Sequence, residues 1–168
     1  MTTEIMSERQ IYVASLADYN AGRLHGVWID ATLSPEDIQK HIKTMLAESP
    51  EPHAEEYEIH DHEGFEGWKP DTSDITTLSL VAVALESTDE PEALGAFLSF
   101  YSVKDIDRFE EAFQGEHGSA EEFMREYYDE QGYDFGPLES YIDWDEVWYG
   151  EFECDGWNAV GDFYFSAF

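Results

Sequence analysis

The stretch QIYVASLADYNAGRLHGVWID, residues 10–30, decides how the fold begins. Two runs within it, residues 10–16 and 24–30, alternate apolar and polar side chains and are rich in β-branched and aromatic residues, which predicts two strands. The link between them, residues 17–23, contains Asn-Ala-Gly, a sequence suited to a turn. We therefore predict that the chain opens with two strands of a small sheet.

A helix is predicted directly after these strands. Ser34 is a good N-cap, Pro35 suits the first helical position, and Asp37 places a carboxylate near the capped amides. The sequence Ser-Pro-Glu-Pro at residues 49–52 stops the helix, and residues 56–61 alternate again, which predicts a third strand. The apolar residues of the helix fall on one face: Ile38, Ile42, Met45 and Leu46.

The middle of the chain, residues 64–108, has helical periodicity. Ser73 precedes a first helical run, and Ser102 begins a pattern typical of a capping box, with that helix ending at Gly115. The first run carries its apolar residues at helical spacing: Leu78, Val81, Ala82 and Leu85.

The last third combines a helix with strands. Ser119 begins a second capping-box pattern, and Gly132 ends the helix that follows. Residues 147–153 and 157–167 are predicted to be strands, with Asp-Gly at residues 155–156 as their hairpin turn.

The predicted fold class is α+β, an elongated chain of small lobes. Residues 1–63 form an N-terminal lobe with a three-stranded sheet plus a helix, residues 64–108 a central helical lobe, and residues 109–168 a C-terminal acidic α+β lobe.

The composition is strongly acidic, with 39 Asp and Glu against 8 Lys and Arg and a net charge of -31. Like charges repel in a compact state, so such a chain requires compensation from salt, a cationic partner or a function that uses the field. Disorder does not explain the charge, because 42% of the residues are hydrophobic and 15% are aromatic. Residues 109–168 hold 17 acids and one base, Arg125, so we expect a partner to meet this third most closely.

Several function classes are disfavoured. We find no phosphate-binding glycine loop and no serine nucleophile elbow, and we predict no catalytic residue, metal or cofactor. His60 and His62 form the best metal-like pair, but a strand edge with solvated polar residues is the preferred interpretation. Nucleic-acid binding needs Lys and Arg, so this surface would repel it. One cysteine and no run of about 20 apolar residues favour a cytoplasmic protein without a membrane segment.

A surface that repels DNA can instead bind a protein groove that is built to bind DNA. A carboxylate, like a phosphodiester, is an anion with oxygen acceptors, and Arg pairs with either in the same forked geometry. Residues four apart on a helix rise about 6 Å, and DNA carries a charge about every 3.4 Å per strand, so rows of carboxylates approximate a duplex. The predicted DNA-mimicking residues are Glu110, Glu111, Glu116, Glu121, Glu122, Glu126, Asp129, Glu130 and Asp134.

Three segments resemble the ArdA antirestriction proteins. Residues 11–30 (IYVASLADYNAGRLHGVWID) resemble that family's opening segment, and residues 55–65 (EEYEIHDHEGF) resemble its next signature. Residues 141–144 (YIDW) resemble the start of its antirestriction motif. The resemblance extends over nearly the whole chain in length, charge and order of segments.

This resemblance implies a DNA mimic without catalytic activity, encoded on a mobile element. It implies three lobes in an elongated build and a homodimer formed through the C-terminal lobe. The implied partner is a type I restriction-modification enzyme, inhibited by occupation of the DNA-binding groove of its specificity and methyltransferase subunits.

The chain departs from the family pattern after the Tyr-Ile-Asp segment. The family's motif continues into an Arg-Asp pair, whereas residues 145–151 here are DEVWYGE. In the family this segment is associated with dimer formation, and here Trp144, Trp148 and Tyr149 are predicted to offer a different, apolar contact. The antirestriction-motif and dimer region comprises Tyr141, Ile142, Asp143, Trp144, Asp145, Glu146, Val147 and Trp148.

The main alternative is an acidic cytoplasmic domain of a halophilic organism with an unrelated binding function. Such proteins are also acidic and poor in lysine. The salt requirement of folding distinguishes the two alternatives, because a halophilic domain would unfold at low ionic strength and refold in concentrated salt.

Overall fold

The structure, a computed structural model, describes residues 7–71 and 74–168. Its fold is α+β, as predicted, and the described residues contain two antiparallel sheets of three strands each. The chain divides into two units, the first ending at Gly95 and the second running from Ala96 to Phe168. The three-lobe division stays a prediction.

The first unit is organised around its N-terminal strand. β1 is the central strand and pairs antiparallel with β2 on one side and β3 on the other. This central position buries Ile11 and Val13 completely. The three predicted strands are therefore confirmed. The elements of this unit are β1 Gln10–Ser15, α1 Leu16–Asn20, β2 Gly26–Asp30, α2 Pro35–Ala47, β3 Tyr57–Glu63 and α3 Ile75–Ser87, and α4 Pro91–Phe100 begins here and ends in the second unit.

The link between β1 and β2 contains a short helix where the sequence predicts a turn. The Ser15 hydroxyl caps α1 by accepting a hydrogen bond from the Asp18 N–H at 3.4 Å. A helix of five residues is too short to leave a periodic apolar pattern, so the sequence analysis did not predict it.

The predicted helix after Ser34 is confirmed as α2. The Ser34 hydroxyl accepts from the Asp37 N–H at 3.1 Å, and Pro35 occupies the first turn, where its missing N–H costs nothing. Three of the four predicted apolar residues are buried in the core: Ile38, Ile42 and Met45.

The helix α3 is capped by a carboxylate. Asp74 accepts hydrogen bonds from the N–H groups of Thr76 and Thr77 at 3.0 and 3.1 Å. The predicted starting residue Ser73 lies outside the described residues. The predicted apolar face is confirmed, since each of these residues is buried: Leu78, Val81, Ala82 and Leu85.

The second unit joins short helices to a small sheet. Its strands follow the order β4-β6-β5. The regular elements are α5 Phe109–Ala112, β4 Phe113–Glu116, α6 Ala120–Glu130, α7 Trp144–Val147, β5 Asn158–Val160 and β6 Phe163–Phe165, with 3-10 helices at Val103–Arg108, Gly136–Tyr141 and Glu153–Asp155 and a π-helical segment at Trp148–Phe152.

One predicted helix is shorter than expected. Ser102 does begin a helical segment, but this is the 3-10 helix followed by α5, and the helix ends at Ala112 rather than at Gly115. Residues of β4 instead pair with β6, which supplies the backbone hydrogen bonds that a longer helix would have made internally. Gly115 has a φ of +108° inside this irregular strand.

The predicted strand over residues 147–153 is wrong, because this segment is helical. Trp144, Trp148 and Phe152 are four residues apart and therefore lie on one helical face. The rings of Trp148 and Phe152 stack at 5.6 Å with an interplanar angle of 11°. Alternation of apolar and acidic residues in so short a segment fits a strand or a helix, and packing of the aromatic face selects the helix.

The hairpin predicted at residues 155–156 is also wrong. Gly156, with a φ of +88°, ends the last 3-10 helix instead. The strands β5 and β6 pair antiparallel further along, with Val160 opposite Phe163, so their turn lies at residues 161–162.

Asp18 is a fully buried carboxylate in the first unit. The Ser49 hydroxyl donates to its Oδ2, and the Arg23 Nε lies 3.7 Å from its Oδ1. Burial raises the pKa of Asp18, but hydrogen bonds with the side chains of Ser49 and Ser15 lower it. The charges of His25 and Arg23 lower it further, so the pKa lies below its usual value.

We predict that Asp18→Asn lowers the midpoint of thermal unfolding at pH 7, because the amide loses the charge that Ser49 and Arg23 stabilise. A carboxyl with a lowered folded-state pKa stabilises the fold above its unfolded pKa of about 4, and this contribution disappears as the pH falls through the folded pKa. The difference in unfolding midpoint between wild type and Asp18→Asn should therefore become smaller at acidic pH.

The matched control is Asp89→Asn, which removes the same charge from an exposed position of the same unit. Because the chain repels itself, this control should leave stability unchanged or raise it. Equal unfolding midpoints for Asp18→Asn and wild type at pH 7 would contradict the assignment.

Candidate functional site

The helix α6 begins at a reciprocal cap. The Ser119 hydroxyl accepts from the Glu122 N–H at 3.1 Å, as the capping-box pattern predicts. The Glu122 carboxylate accepts in return from the Gly118 N–H at 2.8 Å. A negative side chain in the first turn also interacts favourably with the helix dipole. Glu122 therefore contributes to the helix as well as to the surface charge.

Aromatic packing determines which face of α6 meets the solvent. Phe123 and Met124 are buried, and the Phe123 ring stacks on Tyr164 at 4.7 Å with an interplanar angle of 13°. Tyr127 and Tyr128 are half-buried beside them. The core cluster of this unit consists of Phe123, Met124, Trp144, Phe152 and Tyr164.

The opposite face of α6 is almost uniformly acidic. Six of its positions are exposed, and Arg125 is the one base among them in this fully described helix. Residues four apart form two rows, one of Glu122, Glu126 and Glu130 and the other of Glu121, Arg125 and Asp129, with about 6 Å of rise between neighbours. The five exposed acids are Glu121, Glu122, Glu126, Asp129 and Glu130.

The remaining predicted acids lie on neighbouring elements of the second unit. Glu110 and Glu111 belong to α5, Glu116 ends β4, and Asp134 follows α6, and each is exposed. All nine predicted carboxylates are thus at the surface of one unit.

Arg125 neutralises part of this surface. Its Nη2 lies 2.8 Å from Glu121 Oε1, and its Nη1 pairs with Glu139. The guanidinium carbon lies 5.3 Å from the centre of the Trp144 ring, a distance typical of a cation–π contact. One guanidinium is thereby held by two carboxylates and an aromatic face.

Three further predicted acids have partners within the unit. Arg108 Nη1 lies 3.4 Å from Glu111, and His117 Nδ1 lies 3.3 Å from Glu126. Asp134 accepts a hydrogen bond from the Gly136 N–H at 2.9 Å, in the turn after α6.

Four predicted acids have neither an ion pair nor a hydrogen bond to their carboxylates among residues 7–71 and 74–168. They are Glu110, Glu116, Asp129 and Glu130. Their charges face water without compensation by the protein, so they are the carboxylates most available to an external cation.

The two histidines of the metal-like pair lie against aromatic rings. His60 meets Tyr19 edge to face at 5.0 Å, and His62 meets Phe65 in the same way at 5.8 Å. Within the part of the chain that the structure describes, no three His, Cys, Asp or Glu side chains are grouped to hold a metal ion. None of the described helices is both long and apolar enough to cross a bilayer.

Comparison with known families identifies the family of this chain. The model of the ArdA antirestriction proteins matches residues 11–156, most of the chain. The chain belongs to the ArdA family. ArdA proteins are antirestriction inhibitors that interact with restriction enzymes, and the family is not known for catalysis. The curated proteins include no match to this sequence.

The structure places the tryptophans of the ArdA motif region in or beside the core of the second unit. Trp144 is only 7% exposed and belongs to the core cluster, and the half-buried Trp148 packs against it. Packing in the core therefore limits the surface that Trp144 offers to another chain, and the apolar contact through this region stays a prediction. Tyr141 and Tyr149 are exposed, at 85% and 62%, and Asp143 caps α7 by accepting from the Glu146 N–H.

The sequence analysis missed a second acidic surface because it predicted a strand there. The helical segment from α7 to the last 3-10 helix exposes further carboxylates. They include two residues already assigned to the motif region, and the set is Asp145, Glu146, Glu151, Glu153 and Asp155. The spacing of Trp144, Trp148 and Phe152 was the signal that identifies this helix.

We predict that Arg125→Ala destabilises the protein by about 1 kcal/mol at low salt, since it removes two solvent-exposed ion pairs and a cation–π contact. Urea unfolding at low and high salt measures the effect, which should shrink as salt screens the freed carboxylates.

Arg108→Ala is the matched control, because it removes the same charge from residues 96–168 but breaks a single exposed pair with Glu111. Arg108→Ala should lower the free energy of unfolding by less than about 0.5 kcal/mol. Equal costs for the two variants would show that Arg125 has no special structural role.

Proposed function

We propose that this ArdA protein is a DNA mimic that inhibits type I restriction-modification enzymes. In this proposal the carboxylates of the second unit occupy the DNA-binding groove of the specificity and methyltransferase subunits. The protein would perform no reaction of its own, and competition with DNA would be direct.

The exposed face of α6 is the observation that supports this mechanism best. Five of its six exposed positions are acidic, and Asp129 and Glu130 have no partner among the described residues. A groove built to bind phosphates presents Arg and Lys, which pair with carboxylates in similar geometry. Carboxylates within one row are about 6 Å apart along the helix axis. Taken together, the charges of two rows approach the spacing of about 3.4 Å between charges along one DNA strand.

The net charge of -31 supports a fast association. A strong field steers a protein toward an oppositely charged groove and raises the association rate, and this steering weakens as salt rises. Inhibition should therefore require more protein at high ionic strength.

A homodimer is part of the proposal. Two copies would double the length of acidic surface offered to the enzyme without a longer chain. Because Trp144 is buried, the aromatic residues that would contact a second copy are the exposed Tyr141 of the motif region and Tyr149 just after it. Molecular mass from light scattering measures the stoichiometry.

The decisive experiment compares two variants in an inhibition assay. The first replaces the four unpartnered carboxylates by amides: Glu110→Gln, Glu116→Gln, Asp129→Asn and Glu130→Gln. ATP-dependent cleavage of unmodified DNA by a type I enzyme is measured against inhibitor concentration. Taking about 0.5 kcal/mol for each lost exposed contact, we expect about thirtyfold weaker inhibition.

The control variant removes the same total charge from exposed positions of the first unit: Glu48→Gln, Glu55→Gln, Asp89→Asn and Glu90→Gln. Each variant has a net charge four units less negative than that of the wild type. A difference in inhibition between the two variants therefore reports the location of the carboxylates rather than the overall field. Equal losses in the two variants would contradict a specific role for the acidic face. No inhibition by the wild-type protein in stoichiometric excess would refute the proposal.

A salt titration tests the halophilic alternative. An ordinary acidic domain of a halophile needs molar salt to suppress its own repulsion, whereas we expect this protein to be folded at about 0.1 M salt. Circular dichroism and thermal unfolding across a range of potassium chloride concentrations distinguish the two. Structure that appears only in molar salt would favour the alternative.

A further inference from the structure

A groove of about 280 Å³ in the second unit combines aromatic rings with carboxylates. We propose that it binds an arginine side chain of a basic partner protein. That the partner is a restriction enzyme rests on the proposed function, whereas the chemistry of the groove does not. The lining residues used in this argument are Asp129, Tyr133, Asp134, Phe135 and Trp144, with Arg125 at one wall.

The aromatic walls are arranged to receive a flat cation. The rings of Tyr133 and Phe135 are nearly parallel, with centres 6.2 Å apart and an interplanar angle of 14°. Phe135 in turn meets Trp144 edge to face at 5.8 Å, which holds it in place. Tyr133 is 59% exposed, so its ring is accessible to a partner. A guanidinium within about 6 Å of such a ring is attracted by the negative face.

The charges of the groove favour a cation. Asp129 has no ion pair or hydrogen bond to its carboxylate among the described residues, and Asp134 uses one carboxylate oxygen for the Gly136 N–H. Arg125 adds little repulsion, because its charge is already neutralised by Glu121 and Glu139. Two carboxylates therefore remain for an incoming guanidinium.

Arg125 shows that this environment holds a guanidinium. Its side chain lies over the Trp144 ring and is paired with carboxylates on both sides. A partner's arginine placed against Tyr133 and paired with Asp129 would repeat the same combination of ring and carboxylate on the open side of the groove.

Trp144 forms a wall of the groove and carries an indole N–H that is unpartnered among the described residues. The residue is more than nine-tenths buried and lines the groove, and its Nε1–H has no hydrogen-bond partner within the described part of the chain. A buried donor without an acceptor is unusual and costly. The Nε1 atom is itself enclosed, so the arginine proposal rests on the rings and carboxylates of the groove, and the Trp144 indole serves as a probe of binding.

The chemistry favours arginine over lysine. Guanidinium is planar, is weakly hydrated and stacks on aromatic rings, whereas the ammonium of lysine is a compact, strongly hydrated charge. At about 280 Å³ the groove is at the lower end of the range of about 300–1,000 Å³ typical of small-molecule sites, which suits a single side chain.

The test uses the full chain and two peptides of equal charge, acetyl-GRGRG-amide and acetyl-GKGKG-amide. NMR titration follows the indole N–H of Trp144 and the ring of Tyr133. We expect the arginine peptide to bind more tightly than the lysine peptide. Tyr133→Leu should weaken arginine binding about two- to fivefold and weaken lysine binding less, since arginine makes the stronger ring contact.

Tyr149→Leu is the matched control, since Tyr149 is similarly exposed but does not line the groove. It should change neither affinity. Asp129→Asn leaves the rings intact and should weaken both peptides, and unchanged thermal unfolding verifies that each variant is folded.

Equal affinities for the two peptides, or an unchanged arginine affinity in Tyr133→Leu, would overturn the inference without affecting the inhibition assay. Arginine selectivity in a protein that fails to inhibit any type I enzyme would support the groove and contradict the proposed function. The two failures are therefore distinguishable.

Discussion

The stacking of Phe123 on Tyr164 is the contact on which the acidic surface depends. It joins α6 to the small sheet of the second unit and turns one side of the helix inward. Because the aromatic face of α6 packs against the core, the opposite face is exposed to water. The exposed carboxylates are consequently presented in two rows by a core that contains no charge of its own. Aromatic side chains suit this task, because each removes a large apolar area from water and adds a preferred ring geometry.

Two of the few basic residues of the chain connect separate elements. Arg9 is buried, donates to the Leu85 carbonyl at 3.0 Å and pairs with Glu86, which ties the approach to β1 to the end of α3. Arg125 does the same between α6 and the following 3-10 helix through Glu139. Such pairs stabilise locally but leave most of the net charge of -31 uncompensated. The protein therefore retains a strong field, and hydrophobic burial must offset the self-repulsion that this field brings.

Much of the fold was predictable because its signals are local. Ser34 and Ser119 begin helices that the capping patterns predict, and the alternation in residues 10–16 identifies the central strand of the first sheet. The acidic face of α6 was predictable for the same reason, since residues four apart on a capped helix share a side. The helix from Trp144 to Phe152 was not, because a short alternating segment satisfies two periodicities and only its packing against Phe123 and Tyr164 separates them.

The sequence by itself determined the charge, the helix starts, the central strand and the ArdA relationship, since each of these is written in composition or in neighbouring residues. The tertiary structure alone decided which carboxylates are left without partners, that Trp144 is a core residue, and that Tyr133, Phe135 and Asp129 meet in one groove. Those properties depend on residues distant in the chain, and only the packed core brings such residues within the few ångströms over which ion pairs and ring contacts act.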